Sequence, residues 1–526
     1  MSLTIPVQET EDRHVSYCKN GIYDLPGEVA ERIIVELHEH PHTISALAQT
    51  CRKHRFLIYQ PGDTFLWREI YLSKYDDPRR AVYSQHPRSR SISHFDWGHE
   101  FRERIWAATY FCRASGDPCG VDLSPESDIQ DLRALTAVLS LIDTALPIST
   151  CIADLRPEGK TYHEYWSSIP FQRANRLTPW EPASPDLTNN RSTNTMAFLD
   201  IVSRNFPATL LKRLDSPEIT PEQDATPLSR ALHRLAAYYH LISRTDASPA
   251  EPTVLAQGMP LLILHKRTYD LTLIKHSRMH GPFIPLSGAT ADDDPYVYPD
   301  DEYNFTVDWS HLSTIAPLMR RILESGADTW MPEYALGADA LRPGAWIPPV
   351  ETSASEGELN NSTSMEHDWA GVEGMWRRIE TWLSHSVFEE LNGPLWQKIP
   401  ESQLSIRARH IVPCRLHISS YSQNPYFPSF PNIHFEGQTG MEQWYDIDST
   451  DDNDETNVCY LDGKVSMLAD GNVRWSFSMY LGRSKDTGRQ WSFEGVQVGG
   501  IGSLVGAIGV WRGTNTMGFW WHWKVA

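Results

Sequence analysis

Residues 24–72 read DLPGEVAERIIVELHEHPHTISALAQTCRKHRFLIYQPGDTFLWREIYL, and they decide how the N-terminal part of the chain folds. Pro26 suits the first turn of a helix, because the N–H that proline lacks would have no partner there, and Asp24 is placed to cap that helix. Apolar residues then follow with helical spacing, namely Val29, Ile33, Ile34 and Leu37, and after a break at Pro41 also Ile44, Leu47, Ala48, Cys51 and Ile58. The sequence therefore predicts two amphipathic helices.

The predicted helical module is small, with about 45 residues, which is close to the size below which a lone core seldom holds together. Apolar stripes that cannot face each other need another surface to cover them. Two interpretations remain open: a helical hairpin packed on the rest of the chain, or a module that binds a partner protein. The order and spacing of three short motifs favour the partner, namely Leu25-Pro26-x-Glu28, Gln49-Thr50-Cys51-Arg52 and Leu66-Trp67-Arg68-Glu69.

The composition is that of a globular protein of several domains. A length of 526 residues indicates three or four domain-sized units. The net charge of −20 disfavours a surface that follows phosphates, so we expect no nucleic-acid partner. The 7 cysteines are odd in number and scattered, without a C-x-x-C pair, which favours a reducing compartment, the cytoplasm or the nucleus. The first residues lack the pattern of a secretory signal, and no stretch approaches the roughly 20 apolar residues of a membrane span.

Periodicity divides the rest of the chain. Residues 128–146 and 228–243 carry apolar residues in helical register. The predicted segments are a flexible N-terminus at 1–20, the helical module at 21–75, a mainly helical middle at 76–350, a flexible linker at 351–365, a helical segment at 366–410 and an antiparallel β-barrel at 411–526.

The barrel is predicted because the apolar period changes from 3.6 to 2 at about residue 411. Residues 472–481 alternate between apolar and polar, as a strand with one buried face does. Turn signals separate strand-like runs at 414–420, 432–437, 459–468, 472–481, 489–498, 504–511 and 517–524. Closing this meander into a barrel removes exposed edges. The fold class is therefore predicted as α+β, with several domains.

Tryptophans and charged residues inside the strand-like runs give a candidate substrate or ligand site in the barrel. Its residues are Trp475, Trp491, Arg474, Glu494 and Glu436. The polar members, together with Gln497, face either the solvent or a polar cluster within the barrel. A buried charge there needs a partner, and an ion pair of Arg474 with Glu436 or Glu494 would supply it. A structural network and a ligand site both remain open.

No motif assigns catalysis, and we expect no enzyme, cofactor or metal. His38, His40 and His42 are a solvated junction rather than a metal site, since their spacing points the rings apart. The glycines of 499–506 lie between two strand-like runs, so a tight turn is favoured over a phosphate loop. Asp368 in the block 368–374 either caps a helix beginning near Met375 or shapes a polar site.

Taken together, these blocks resemble a fungal F-box domain protein with a long helical middle and a C-terminal, lipocalin-like β-barrel. Besides the three N-terminal motifs, the blocks of the resemblance are Tyr269-Asp270, Gly281-Pro282-Phe283, Val307-Asp308-Trp309, residues 368–374, residues 433–437 and residues 491–500. One departure is the His-rich junction at 38–42, where many F-boxes carry an Asp-rich or Pro-Asp turn.

The resemblance implies a non-catalytic substrate receptor of an SCF-type ubiquitin ligase. The F-box would bind a Skp1-like adaptor, and through it a cullin, while the barrel would recruit an unknown protein substrate. By position, the residues at or supporting the Skp1 interface are Leu25, Pro26, Ile33, Ile34, Leu37, Leu47 and Cys51, with Trp67 closing the module. A second hypothesis is a lipocalin-like barrel that binds a small molecule and carries a regulatory F-box.

Overall fold

The structure of the chain is a computed structural model that divides into two compact units, Met1–Tyr75 with Asp96–Phe101 and Asp76–Phe95 with Arg102–Ala526. Among the helices that it describes, none has both the length and the apolar character needed to cross a bilayer. The segments 1–20 and 351–365, predicted to be flexible, lie outside the described residues. The described residues are 25–60, 64–78, 95–115, 125–145, 192–204, 206–215, 226–242, 261–271, 281–285, 303, 305–327, 368–382, 385–400, 407–408, 412–440, 458–481, 491–499, 501, 503, 505–513 and 517–524.

The first unit contains short helices around a small apolar core. Ile34, Ile58, Leu66 and Ile70 are almost completely buried in it. Its helices are α1 (Gly27–Glu36), α2 (Pro41–Thr50), α3 (Arg52–Tyr59), α4 (Phe65–Leu72) and the beginning of α5 (Trp97–Ser115).

The prediction of one helix after Pro41 is wrong, because Cys51 divides it into α2 and α3. Cys51 has an extended backbone, with φ −156° and ψ 164°, and its Sγ accepts a hydrogen bond from the backbone N–H of His54 at 3.4 Å. A side chain that accepts a bond from the third residue of a helix is an N-cap, and here it starts α3. The apolar spacing continues through the break, so periodicity alone could not show it.

The second unit contains the remaining helices and the strands. Its described residues before 350 are mainly helical, but they also include the hairpin of β1 (Phe283–Pro285) and β2 (Phe305–Val307), which was not predicted. Pro282 and Val307 lie in blocks of the resemblance that assigned no strand. The helices that follow α5 are α6 (Pro125–Asp143), α7 (Thr193–Arg204), α8 (Ala208–Asp215), α9 (Pro227–Ile242), α10 (Leu261–Thr268), α11 (Trp309–Ala327) and α12 (His385–Asn392).

The C-terminal part is a closed barrel of eight antiparallel strands. Strands adjacent in the barrel follow one another along the chain, and β11 pairs with β3 to close the ring. A ninth, two-residue strand, β4 (Arg407–Ala408), pairs with the end of β3. The barrel strands are β3 (Gly374–Trp382), β5 (Val412–Ser422), β6 (Asn432–Gly440), β7 (Val458–Met467), β8 (Val473–Leu481), β9 (Trp491–Gln497), β10 (Ala507–Arg512) and β11 (Met517–Lys524).

The prediction of a helical segment at 366–410 is wrong where β3 lies, and the barrel begins before residue 411. In β3 the apolar residues Trp376, Ile379 and Trp382 are three positions apart, which resembles a helix. The strand alternation is hidden because two inward positions, Arg378 and Glu380, carry charge. Within the segment, helix is found only at α12 and in the short 3₁₀ turn Trp396–Lys398 among the described residues.

The outer face of β10 and β11 is covered by helices of the same unit. Helix α11 packs against both strands. The Phe519 ring lies 4.7 Å from that of Tyr269 and 5.8 Å from that of His311, measured between centroids. Trp521 and Trp523, on the same face, are completely buried. This part of the sheet is therefore buried on both faces, whereas β8 keeps serines on its outer face.

Candidate functional site

Helix α1 carries two apolar stripes. Ala30 and Ile34 are buried in the core of the first unit. One position earlier, Val29 and Ile33 repeat the same spacing, and Val29 is 44% exposed. Residues four apart lie on one face of a helix, so the second stripe is a separate surface beside the buried one. Pro26 and Leu37 extend it at the two ends of α1, the first exposed and the second half-buried.

The residues predicted to contact the adaptor fall into two groups. Ile34 and Trp67 are buried and hold the module together from inside. The others keep accessible surface: Pro26 is exposed, and Leu25, Ile33, Leu37, Leu47 and Cys51 are half-buried.

Trp67 joins the end of α3 to α4. Its indole N–H donates a hydrogen bond of 2.7 Å to the carbonyl oxygen of Ile58. A Cβ added at Gly98 would lie only 3.0–3.2 Å from the ring, so the glycine lets the first turn of α5 approach the indole closely. Trp67 is thus a buried residue that fixes the positions of α3, α4 and the first turn of α5.

Sequence reasoning missed three exposed aromatic residues of this unit. Phe56 and Tyr59 on α3 are 61% and 47% exposed, and Phe65 at the start of α4 is 43% exposed. Large apolar side chains that stay in contact with water on a small module are typical of interaction surfaces. The apolar spacing carried no signal for them, because it does not show the break at Cys51, which shifts α3 out of the continuous helix used for the prediction.

The His-rich junction gives no sign of a metal site. The His40 and His42 rings meet edge to face, with centroids 5.9 Å apart. His38 faces back to its own helix, where its Nδ1 lies 3.1 Å from the carbonyl oxygen of Val35. Throughout the described part of the chain, no three His, Cys, Asp or Glu side chains converge in a way that could hold a metal ion.

One end of the barrel is closed by the loop that precedes β3. The Asp368 carboxylate accepts hydrogen bonds from the backbone N–H groups of Val372 and Glu373, at 2.7 and 2.9 Å. The helix-cap interpretation of Asp368 is therefore wrong, because the carboxylate caps a loop that leads into a strand. From the last residue of β11, the Lys524 ammonium donates a 2.8 Å bond to the carbonyl oxygen of Gly371.

Burial shifts the pKa values of two ionisable groups at this closed end of the barrel, Asp368 and Lys524. It raises the pKa of Asp368, and it lowers the pKa of Lys524 to about 8 in spite of the nearby Asp368 and Glu373 carboxylates. Each group loses hydration that favours its charged form. The closure therefore holds an ionisable pair whose charges are costly to bury.

Aromatic rings fill the barrel next to this closed end. Trp376 and Trp475 meet edge to face, with centroids 5.1 Å apart, and Phe435 lies 5.5 Å from Trp475. The Trp475 indole N–H lies 3.3 Å from Oε1 of Gln497, whose side-chain N–H₂ donates to the carbonyl oxygen of Ala370 at 2.9 Å. The tryptophans predicted to fill a core or line a cavity fill a core at this level.

Charged side chains occupy the next level of the interior. Nε of Arg378 lies 3.0 Å from Oε1 of Glu380, so the two charges pair, but the N–H does not point at that oxygen and neither atom has a hydrogen-bond partner. A second guanidinium nitrogen, Nη1, donates to the thioether sulfur of Met479 at 2.9 Å. A thioether is a weak acceptor.

His522 lies beside this pair, because β11 places it opposite Arg378 on β3. Its ring is 1% exposed and packs on Phe477 at 5.4 Å and on Trp520 at 4.8 Å. Both ring nitrogens lack a hydrogen-bond partner. Burial, followed by the nearby Arg378, holds the pKa of His522 well below its ordinary value, so the ring is neutral at pH 7.

Two cysteines face the same interior from β5 and β7. Burial raises the pKa of the Cys414 thiol to about 12 and that of the Cys459 thiol to about 11. Both are therefore protonated and inert as nucleophiles at neutral pH. The unpaired atoms of Arg378, Glu380 and His522 remain, and each buried polar atom without a partner costs about 1–3 kcal/mol.

The structure does not bring the predicted barrel-site residues together. Trp475 lies in the filled interior, and Trp491 packs at the other end, where β9 begins. Arg474 and Glu494 face outward, where Nε of Arg474 lies 2.9 Å from Oε2 of Glu494. Glu436 is exposed on the outside of β6, so the Arg474–Glu494 pairing forms, but outside the barrel.

Arg474 and Glu494 attach the β1–β2 hairpin to the barrel. The guanidinium lies 5.3 Å from the ring centroids of both Phe283 and Phe305. A Cβ added at Gly281 would meet Cβ of Glu494 at 2.8 Å. A guanidinium that lies over two aromatic rings and pairs with a carboxylate stabilises their packing. The arrangement therefore favours a structural network over a ligand site for Arg474 and Glu494.

The chain thus combines a small helical module that carries an accessible apolar stripe with an α+β unit whose closed barrel contains polar groups without partners. Comparisons with protein-family models, with curated proteins and with solved structures find no match to it.

Proposed function

We propose that the chain is a non-catalytic substrate receptor of an SCF-type ubiquitin ligase. The first unit acts as an F-box that binds a Skp1-like adaptor and, through it, a cullin. The second unit, with its lipocalin-like barrel, recruits a target protein. The observation that carries the proposal is the second apolar stripe of α1, formed by Pro26, Val29, Ile33 and Leu37.

The stripe supports the proposal because its residues are apolar and accessible at once. Burying one Val or Ile side chain fully stabilises a complex by about 1.5–3 kcal/mol. Two other helices of the first unit also carry exposed apolar side chains, Phe56 and Tyr59 on α3 and Phe65 on α4. A partner that covers these side chains gains free energy without any change in the core that Ile34 and Ile58 form.

The proposal predicts that a charge in the stripe abolishes adaptor binding. We expect the full-length protein to bind a recombinant Skp1-like adaptor, and the variant Val29→Asp to bind at least tenfold more weakly, because a buried, unpaired carboxylate opposes the complex. Biolayer interferometry measures the affinity. Circular dichroism verifies the helical content of the variant.

The matched control is Arg32→Ala with Glu36→Ala, which removes an exposed ion pair of 3.3 Å that flanks Val29 on the same helix but takes no apolar side chain out of the stripe. Such a surface pair contributes little to stability, so this variant should bind like the wild type. Absence of adaptor binding by the wild type, or equal loss in both variants, contradicts the proposal.

A further inference from the structure

The barrel interior holds polar atoms that have no hydrogen-bond partner in the described structure, although Arg378 and Glu380 pair as charges. Both nitrogens of His522, Nε of Arg378 and Oε1 of Glu380 have no hydrogen-bond partner. Buried polar groups in folded proteins are nearly always paired, and a cluster that is not paired needs an explanation. The three side chains lie side by side, because the register of β3 and β11 places His522 opposite Arg378 and Trp520 opposite Glu380.

The cluster lies away from the closed end of the barrel. Lys524, which binds the closing loop, is opposite Trp376, and the cluster follows it toward the beginning of β11. The Glu380 side chain is 15% exposed, whereas Trp475 is 0% exposed. Trp491, at the same end as Met479, is only half-buried. The carboxylate is therefore less deeply enclosed than the rings next to the closed end.

The charges of the cluster determine which head group fits. Arg378 and Glu380 cancel, and the His522 ring is neutral. An anion or a cation would leave one uncompensated buried charge, which is costly. A neutral group that both donates and accepts hydrogen bonds, such as a hydroxyl, can instead donate to Glu380 and accept from Arg378 or His522.

Aromatic rings beside the cluster determine the rest of the ligand. The Arg378 guanidinium lies 5.8 Å from the centroid of Phe493, which stacks on Phe477 at 4.5 Å. Trp511 lies 6.5 Å from Phe493. Ligand sites in proteins combine such apolar walls with a few convergent polar groups, and an eight-stranded barrel is wide enough to hold one small ligand.

We propose that the barrel binds a small, uncharged molecule with an aromatic body and a hydroxyl-type head, held by Arg378, Glu380 and His522. The body lies against Phe493 and Trp511. This activity goes beyond the proposed ligase role and is independent of it, because no residue of the first unit takes part.

The test compares two probes of the same shape on the full-length protein by isothermal titration calorimetry. The probes are 2-naphthalenemethanol, which is neutral, and 2-naphthoate, which is anionic. We expect saturable binding of the alcohol with one site, and binding of the carboxylate at least tenfold weaker. No saturable binding of the alcohol, or equal affinity for both probes, overturns the proposal.

Two interior variants and one outer control assign the site. His522→Phe replaces the imidazole by a benzene ring without nitrogens, and Arg378→Met with Glu380→Met removes both charges together. Each should weaken binding of the alcohol about tenfold without lowering the melting temperature, because unpaired polar atoms are removed. Glu436→Gln, on the outer surface, should bind like the wild type. Wild-type affinity in both interior variants overturns the assignment. Adaptor binding is unaffected by these variants, so failure here leaves the ligase proposal to its own test.

Discussion

At the scale of single residues, burial sets the charge state of several groups in the barrel. Lys524 is 4% exposed, and its pKa falls to about 8 because burial removes hydration from the ammonium. In the unfolded chain a lysine titrates at about 10.4. Between these values the unfolded state binds more protons than the folded state, so this residue makes the protein more stable as the pH rises. Below about pH 8 the lysine is charged in both states and its contribution is constant.

The thiols of Cys414 and Cys459 have the opposite effect on the pH dependence of stability. Their pKa values are raised to about 12 and about 11, above the value of about 8.5 for an unfolded cysteine. The folded state therefore binds more protons than the unfolded state above pH 8.5, and stability falls as the pH rises. The contribution of Lys524 must be measured as a difference between two proteins that share both thiols.

We predict that Lys524→Met removes the stabilisation that develops between pH 8 and pH 10. The free energy of unfolding of the wild type, minus that of the variant, should rise by roughly 1–3 kcal/mol over this range. Urea denaturation at several pH values measures both proteins. A difference that stays constant or falls with pH contradicts the lowered pKa of Lys524.

At the scale of elements, the sequence predicted strands from short runs between turn signals, and the clearest of these runs alternate. In β8, Trp475, Phe477 and Met479 face inward and alternate with polar residues, and each of the strands β5 to β11 corresponds to one of the seven predicted runs. Strand β3 was missed because two of its inward positions carry Arg378 and Glu380, and the break at Cys51 was missed because cysteine is not one of the residues that usually cap a helix. The interior polar cluster could not be predicted, since it requires the pairing of β3 with β11.

Inward glycines in the strands make room for the large rings, and this role can be tested with a pair of identical substitutions. A Cβ at Gly495 in β9 would lie 2.4 Å from Cζ2 of Trp520 and 2.8 Å from the carbonyl oxygen of Ile508. A Cβ at Gly27, at the beginning of α1, would meet nothing within 4 Å.

We predict that only one of the two Gly→Ala changes lowers the free energy of unfolding. Gly495→Ala should destabilise the second unit by about 1–3 kcal/mol, because the ring and the backbone must move apart. Gly27→Ala should leave the first unit unchanged or stabilise it by up to about 1 kcal/mol. Denaturation followed by tryptophan fluorescence and by far-UV circular dichroism measures both. Loss of stability in Gly27→Ala, or none in Gly495→Ala, contradicts the described packing.

At the scale of the whole molecule, the barrel depends on helices that precede it in the chain. Phe519, Trp521 and Trp523 are completely buried on its outer face, where α11 packs on β10 and β11. Both faces of β11 are therefore buried, as in a strand covered on two sides, although the inner face also carries His522 and Lys524. The sequence showed seven tryptophans in or near the strands but not which of them point outward, because the run Phe519-Trp520-Trp521-His522-Trp523 does not alternate.

We predict that a fragment of residues 366–526, which contains all eight barrel strands, aggregates, because it exposes Phe519, Trp521 and Trp523 as one apolar patch. The same fragment with Phe519→Thr, Trp521→Arg and Trp523→Glu should be soluble and monomeric. In the full-length protein these three substitutions should instead be strongly destabilising, since they place polar and charged side chains at completely buried positions. Size-exclusion chromatography with light scattering measures the fragments, and thermal denaturation measures the full-length pair. A soluble wild-type fragment, or a full-length variant as stable as the wild type, shows that the helices do not cover this face.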